Sequence, residues 1–559
     1  MAMELIDAYL EEQRGLTAVE KFALQHDQRK IPQDVPIYQD LIPKTTPGPG
    51  QQYAFAVDLD RCTGCKACVA ACHSENGLDE DESWRSVGLL QGGSNIPATS
   101  SRNVDDQQPV IQHVTASCHH CLEPGCLTGC PVNAYEKDPA TGIVKHLEDQ
   151  CIGCQYCTLT CPYDVPQYNK KRGIVHKCDM CISRLQAHEA PACVRACPNG
   201  AIQITLVEAA SVRENPAEYV NVPEAPDSRH TLPTTRYLTR KRFPQDMTSL
   251  DFYAVKPQHS HWPLIVMLVL TQLSVGAFWV TGFLQHSLSP SLREALVPYQ
   301  VLVSLGIGIL ALGVSIFHLG RPRYALRAVI GLRRSWLSRE IVAFGVFSFL
   351  VTVMAFSEGM EPFRNFLAQP FKDLLGLSTA LIGALGVFSS FMVYKVTRRP
   401  FWDHPWTLIK FLLTSGILGI STILFSTIFL LHLQSLEATA EIMKEFGEGF
   451  CWALMGLTGL KLILETAIFL HLGDGKSSSF KKTALLMTRV FQSVTLNRFL
   501  LGISGGVLGP LFLLTFREGM SYPVVCGVSS AVFLLTLGGE FLERYLFFRA
   551  VVPLKMSGG

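Results

Sequence analysis

Sixteen of the chain's 18 cysteines fall before residue 200, in four groups of four. The first group, RCTGCKACVAACH over residues 61–73, sets Cys62, Cys65, Cys68 and Cys72 in a C-x2-C-x2-C-x3-C run. A second, CHHCLEPGCLTGC, supplies Cys118, Cys121, Cys126 and Cys130. The third, CIGCQYCTLTC, repeats the opening spacing at Cys151, Cys154, Cys157 and Cys161. In the fourth, CDMCISRLQAHEAPACVRAC, stand Cys178, Cys181, Cys193 and Cys197. Thiols this dense cannot all find well-directed disulfide partners. Structural zinc would take two Cys-x-x-Cys pairs a loop apart and gains nothing from the x2-x2-x3 spacing. That spacing is the bacterial ferredoxin run, in which three thiolates hold one cubane and the fourth reaches a second. Sixteen thiolates match four [4Fe–4S] clusters with none left over. Proline follows the closing cysteine at Pro131, Pro162 and Pro198, whereas His73 takes that place in the first group. His73 is read as a surface histidine rather than a ligand.

The 559 residues leave room for two or three domains, and a net charge of +1 gives no nucleic-acid footprint. The expected divisions are an N-terminal docking extension over 1–50, a ferredoxin-type domain over 51–207, an extended proline-rich linker over 208–260 and a membrane anchor over 261–550. The anchor follows from eight apolar runs, at about 262–285, 296–318, 340–357, 377–395, 406–432, 451–472, 497–516 and 522–547. One buried core helix could imitate such a run, but eight in series could not. Acidic residues in MAMELIDAYLEEQRG occupy the place where a secretory signal would carry an apolar stretch. The expected fold is an α+β ferredoxin-like iron–sulfur domain of two pseudo-repeats, followed by an all-α polytopic membrane domain of eight transmembrane helices.

The four cysteine groups in this order, closed by PACVRACPNGAI, resemble the four-cluster electron-transfer subunit of dimethyl-sulfoxide-reductase-type molybdenum enzymes. The second half is similar to the eight-helix anchor of those complexes through HWPL, FHLGRP at 317–322, SWLSREI at 335–341 and GEFLERYLFF at 539–548. The resemblance implies two subunits fused into one chain, with a molybdopterin catalytic subunit as a separate partner. It also implies how the ligands pair, in agreement with the ferredoxin rule that each group lends its last thiol to its partner. Cys62, Cys65 and Cys68 would join Cys197, and Cys178, Cys181 and Cys193 would join Cys72. Likewise Cys118, Cys121 and Cys126 would join Cys161, and Cys151, Cys154 and Cys157 would join Cys130. The first pair of clusters would face the catalytic subunit and the second the membrane.

Polar groups in or beside spans are costly and usually functional. His318 ends the second apolar run and Glu340 opens the third, so this histidine and carboxylate could take the two protons released by quinol oxidation. The resemblance implies the same place, with Gly320 beside them; Arg321, Tyr394, Trp402 and Thr407 are further candidates for the pocket. The alternative is structural: His318 capping a helix end and Glu340 paired with Arg339 or Arg321. For Lys410, Glu465 and Glu540, within spans, helix–helix pairing weighs at least as much as ligand contact. The substrate is expected to be menaquinol or another quinol from the membrane pool. No haem is expected, because His318, His432 and His471 stand near span ends and none lies mid-helix.

Basic residues mark the even connections: six arginines in 318–340, three basic residues in 395–407, five in 472–498 and three after 543. The odd connections together carry only Arg293, Arg364, Lys372, Lys444 and Arg517. The positive-inside rule then puts the even connections and the iron–sulfur domain in the cytoplasm. The alternative, with the domain on the periplasmic side, treats the arginines as a docking patch. The expected activity is quinol oxidation, with electrons passed through four clusters to a subunit that reduces an S-oxide, N-oxide or oxyanion. The alternative is a quinone-reducing or proton-translocating module fed by another partner.

Overall fold

The computed structural model describes residue 20 and residues 38–93, 110–359, 368–433, 446–516 and 521–556. Most of the expected docking extension over 1–50 therefore lies outside the described residues. The chain divides into two compact units, Met1–Ala254 with Pro553–Gly559, and Val255–Val552.

In the first unit the cysteine loops dictate the backbone. Gly64 and Lys66 in the first group, and Gly153 and Gln155 in the third, have positive φ values of 72°, 62°, 69° and 58°. Met180 and Cys181 in the fourth follow at 61° and 48°. In the first and third groups left-handed residues alternate with others, and in the fourth two stand together; such turns can aim successive N–H groups toward one concave point, a nest suited to anionic groups. Each nest runs into a short helix: α1 (Ala67–Glu75), α3 (Tyr156–Thr160) and α4 (Ile182–Gln186). The second group instead enters α2 (Gly125–Gly129) from Pro124, and α5 (Ala192–Arg195) follows Pro191. Both prolines sit where a helix start leaves the N–H free anyway.

Small sheets brace these loops. Strand β1 (Gln51–Asp58) pairs antiparallel with β8 (Ile202–Glu208), from Gln51 opposite Glu208 to Val57 opposite Ile202. Six consecutive residues of β1, Gln52 to Val57, are buried, so both faces of the strand are covered. Strands β2 (Ser86–Gly92) and β3 (Val110–Ala116) form a second antiparallel pair. Two hairpins, β4 (Tyr135–Lys137) with β5 (Val144–His146) and β6 (Gln167–Asn169) with β7 (Ile174–His176), close the interior. The stretch expected as a linker contributes to this unit through Ala254: β9 (Arg236–Leu238) runs parallel to β1, and β10 (Thr248–Ser249) joins β2. Its scattered apolar residues Tyr219, Val220, Val222 and Tyr237 are all buried, which fixes a segment that composition alone suggests is extended.

The second unit holds eight helices long and apolar enough to cross a membrane among the described residues. They are Trp262–His286, Leu292–His318, Trp336–Gly359, Gln369–Lys395, Pro405–Leu431, Glu448–Gly473, Gln492–Phe516 and Tyr522–Arg549, here spans one to eight. Spans one and five are the most buried, at 78% and 72% of their apolar windows. Their backbones meet: a Cβ on Gly276 would lie 1.8 Å from the Ser415 carbonyl oxygen, and one on Gly419 2.4 Å from the Gly276 carbonyl carbon. Small residues permit such approach where lipid offers no hydrophobic drive.

Candidate functional site

The described structure gathers the sixteen thiols into four quartets. Cys62 lies among Cys65, Cys68 and Cys197. Cys72 lies beside Cys181 and Cys193, and Cys178 beside Cys72. Cys118, Cys121 and Cys161 surround Cys126. Finally, Cys130, Cys151 and Cys154 surround Cys157. The quartets follow one another in that order. Cys68 neighbours Cys72 and Cys193 across the first junction, and Cys118 neighbours Cys178 across the second. Tyr135 borders Cys126 on one side and Cys157 on the other at the third.

The chemistry of these quartets fits a bound iron–sulfur group. Burial pushes the Cys62 thiol up to about 11 and the Cys72 and Cys161 thiols up to about 12. Bare thiols so placed stay protonated and inert, so ionised sulfur here needs bound metal to offset burial. The backbone is arranged for anionic sulfur. Ala134 and Ala201 donate N–H bonds to Cys130 and Cys197, each four residues back, both at 3.2 Å. Gly153 and Met180 donate to Cys151 and Cys178, each two residues back, both at 3.4 Å. A cavity is lined by Cys62, Cys65, Cys68 and Cys197 together. His73 bonds the carbonyl of Asp79 at 3.2 Å.

Two buried cations and a buried histidine stand among the quartets. Arg85 donates to Thr115 Oγ1 at 3.1 Å and Ser117 Oγ at 2.8 Å. Lys177 donates to the carbonyls of Val144 and Cys178, each at 2.5 Å, and reaches Cys118 Sγ at 3.6 Å. His119 bonds Thr235 at 2.8 Å, and burial with nearby Arg85 holds it down to about 3, so the ring is neutral. Sequence reasoning finds none of these three, because their partners lie far along the chain.

In the membrane half the alternation of spans brings His318, Gly320, Arg321, Glu340, Tyr394, Trp402 and Thr407 to one end of the bundle, since all lie near even connections. Glu340 stands just over one turn inside the third span, which begins at Trp336, and only 3% of it is exposed. Ser390 on the fourth span donates to Glu340 Oε1 at 2.5 Å. Arg339, an expected alternative partner, turns instead to the carbonyls of Leu332 at 3.1 Å and Arg333 at 2.9 Å. Tyr394 is buried one turn beyond Ser390, with Glu340 and Arg544 as charged neighbours. Its ring meets Trp402 edge-on at 5.2 Å and Phe547 at 5.1 Å, while Trp402 Nε1 donates to the Phe547 carbonyl at 2.9 Å. Thr407 is fully buried, and its hydroxyl has no hydrogen-bond partner among the described residues. His318 meets another set of groups: its ring packs edge-on to His261 at 5.0 Å, and His261 lies 5.1 Å from His259. Burial and the adjoining His318 hold His261 down to about 4. A cavity of about 380 Å³, lined by Trp279, Phe283, Lys372 and Leu377, opens at the other end of the bundle.

A second polar cluster lies among spans five to eight and reaches Gln272 on the first. Arg498 grips Glu465 through two bonds of 2.9 and 2.8 Å and Glu540 at 3.0 Å. Lys461 pairs with Glu540, and Arg544 with Glu543. Thr414 donates to Glu540 at 2.8 Å, and Arg544 reaches Gln272 at 2.9 Å. For Glu465 and Glu540 this is the helix–helix pairing weighed from sequence. Arg498 and Arg544, counted there as connection charges, lie inside spans, where carboxylates compensate them. The spacing of Lys461 and Glu465, one helical turn apart, is the signal that could have revealed part of this cluster.

Comparison with known proteins gives two family matches. Residues 110–206 match the 4Fe-4S dicluster domain, and residues 257–549 match the DMSO reductase anchor subunit (DmsC) family. The chain is 38% identical over 159 residues to the B subunit of anaerobic dimethyl sulfoxide reductase of Haemophilus influenzae, covering 28% of this chain and 76% of that protein. The B subunit of the same enzyme from Escherichia coli K12 is 35% identical over 182 residues, 33% of this chain and 86% of the relative. The formate dehydrogenase-O iron-sulfur subunit of Escherichia coli K12 is 33% identical over 186 residues, 30% of this chain and 62% of the relative.

Proposed function

We propose, from the premise that this chain belongs to the DMSO reductase anchor subunit (DmsC) family and joins to that anchor an iron–sulfur part similar to the reductase B subunit, that it oxidises quinol and passes the electrons to a separate molybdopterin subunit. The chain is an integral membrane component of a DMSO reductase-type oxidoreductase complex, and its iron–sulfur part is of the 4Fe-4S kind. The observation that carries the proposal is the serial order of four thiol quartets on a chain that also holds eight spans.

Cys62, Cys65, Cys68 and Cys197 would hold the first [4Fe–4S] cluster, and Cys72, Cys178, Cys181 and Cys193 the second. Cys118, Cys121, Cys126 and Cys161 would hold the third, and Cys130, Cys151, Cys154 and Cys157 the fourth. When bound, such clusters supply one-electron relay sites. The protein's own work is at the membrane. Glu340, positioned by Ser390, accepts a proton from a quinol hydroxyl, and His318 accepts the second. Tyr394, Trp402, Arg321, Gly320 and Thr407 shape the surroundings in which the ring is held. The partner would reduce an S-oxide, N-oxide or oxyanion. The formate dehydrogenase-O relative supports a second reading, in which electrons run the other way and quinone is reduced.

The iron–sulfur part is assigned to the cytoplasmic face. With Arg498, Arg544 and Arg339 set aside as lying inside spans, the second connection still carries five arginines, Arg321, Arg323, Arg327, Arg333 and Arg334, against Arg364, Lys444 and Arg517 on the odd connections, where Arg293 and Lys372 also fall inside spans. A reporter active only in the cytoplasm should work when inserted after Gly475 and fail when inserted at Lys444; the opposite pattern puts the domain outside. The function itself is tested by supplying the assembled complex with a quinol or with a viologen dye. Quinol should drive reduction of the partner's substrate in a membrane-embedded complex, and removal of the anchor should abolish that while sparing the dye reaction. Quinol-driven turnover that survives loss of the anchor would refute the proposal.

A further inference from the structure

We infer that Lys177 is a redox-tuning residue: its ammonium group, lodged at the junction of the second and third thiol quartets, raises the reduction potentials of the clusters held there. The inference rests on the cluster reading above and goes beyond it, since nothing in that reading requires a cation at this point.

Lys177 directly precedes Cys178, yet its side chain turns inward and is only 3% exposed. An ammonium has three protons to donate. Here they have three acceptors: the carbonyls of Val144 and Cys178, at 2.5 Å each, and Cys118 Sγ at 3.6 Å. Val144 begins β5 and Cys118 opens the second cysteine group, so the side chain ties three separate segments at one point. Its strongest charged neighbours are the sulfurs of Cys118, Cys126 and Cys178, with Asp179 weaker. Two of those sulfurs belong to the third quartet and one to the second. Taking an ammonium out of water costs several kcal/mol unless opposite charge lies close. Ionised cysteine sulfur supplies that charge once the clusters are bound.

The electrostatic consequence follows directly. Taking up an electron adds one negative charge to a cluster, and a fixed positive charge nearby stabilises the reduced form more than the oxidised one. The N–H···S bond from Lys177 to Cys118 acts in the same direction. Arg85 occupies the corresponding place at the first junction, 2% exposed, with Cys193, Cys68, Cys178 and Cys72 as its sulfur neighbours. The fourth quartet borders Tyr135 and Tyr168 instead. Lys177 thus acts on the step that carries an electron from one pair of quartets to the other.

The test uses the assembled complex carrying Lys177→Met or Lys177→Arg, titrated electrochemically and followed by electron paramagnetic resonance, with iron counted on the same samples. Lys177→Met should keep its iron and lower the midpoints of two of the four clusters, weakening their electron affinity at least tenfold, about 59 mV for a one-electron couple. Lys177→Arg should leave all midpoints near those of the parent protein. Full iron with all four midpoints unmoved, or moved equally, overturns the inference. Where Lys177→Met loses iron, Lys177→Gln is read by the same criteria. Loss of iron in both neutral variants but not in Lys177→Arg makes Lys177 a structural brace and also overturns it. Failure of the cluster reading is distinguishable, because it shows as missing iron in the parent protein.

Discussion

Replacing Glu340 by glutamine removes the proposed proton acceptor while preserving nearly every packing contact. The carboxyl is 3% exposed and accepts a bond of 2.5 Å from Ser390. Glutamine has the same shape, and its carbonyl oxygen can accept the same hydroxyl, so the fold loses only the difference between a charged and a neutral hydrogen bond, about 1 kcal/mol. The chemical loss is larger. Deleting a general base usually costs about 10² to 10⁴ in rate, and even the smallest credible effect, tenfold, is a barrier increase of about 1.4 kcal/mol. Ser390→Ala should produce a milder fall, because it leaves the carboxylate in place but removes its positioning bond. The assay compares two donors on one membrane preparation: a quinol, which needs the site under the proposed function, and a reduced viologen, which does not. Quinol-driven turnover should drop at least tenfold in Glu340→Gln while the viologen reaction stays within twofold. A parallel fall in both would make Glu340 a structural residue. Unchanged quinol turnover would place the substrate elsewhere, with the cavity lined by Trp279, Phe283 and Lys372 the next region to probe.

Two further outcomes follow from the same geometry. Cys157→Ser removes a thiol from the fourth quartet and should lower iron by about one cluster's worth, stopping quinol-driven flow while leaving the remaining clusters reducible by dye; loss of all iron would show that the quartets fold only together. Arg498→Ala removes both guanidinium bonds from buried Glu465 and one of two cations from Glu540, which keeps Lys461, so the protein extracted in detergent should lose about 3 kcal/mol of stability, the low end for breaking a buried pair, read as a fall in unfolding temperature and in membrane abundance. A change below about 1 kcal/mol would mean that water replaces the guanidinium.

The sequence displays the cysteine groups openly because their geometry is local. Cys62, Cys65 and Cys68 need only Gly64 and Lys66 in left-handed conformation to face one point, and those residues lie within the motif. The eight spans are equally local, each a matter of length and apolar content. What the residues do not announce is long-range. Lys177 and Arg85 look like ordinary surface cations until β5 and β3 bring Val144 and Thr115 against them. Arg498 and Arg544 stand close to span ends and read as connection charges, while their true partners are Glu465, Glu540 and Glu543 on the sixth and eighth spans. The segment after Glu208 carries the prolines and polar residues of a linker, yet Tyr219 and Tyr237 are 2% and 3% exposed because β1 offers an edge for β9 to join. Glu340 is visible in the sequence as an acid beside an apolar run; its bond to Ser390, fifty residues away, is not.

If all sixteen thiols before residue 200 serve one electron path, the metal content of the protein must say so. Iron and acid-labile sulfide measured on anaerobically purified protein test this most directly. Four clusters of the cubane type require about sixteen iron and about sixteen sulfide per polypeptide. A value near twelve iron, or stoichiometric zinc without sulfide, would contradict the single path, because at least one quartet would then hold something other than a relay site.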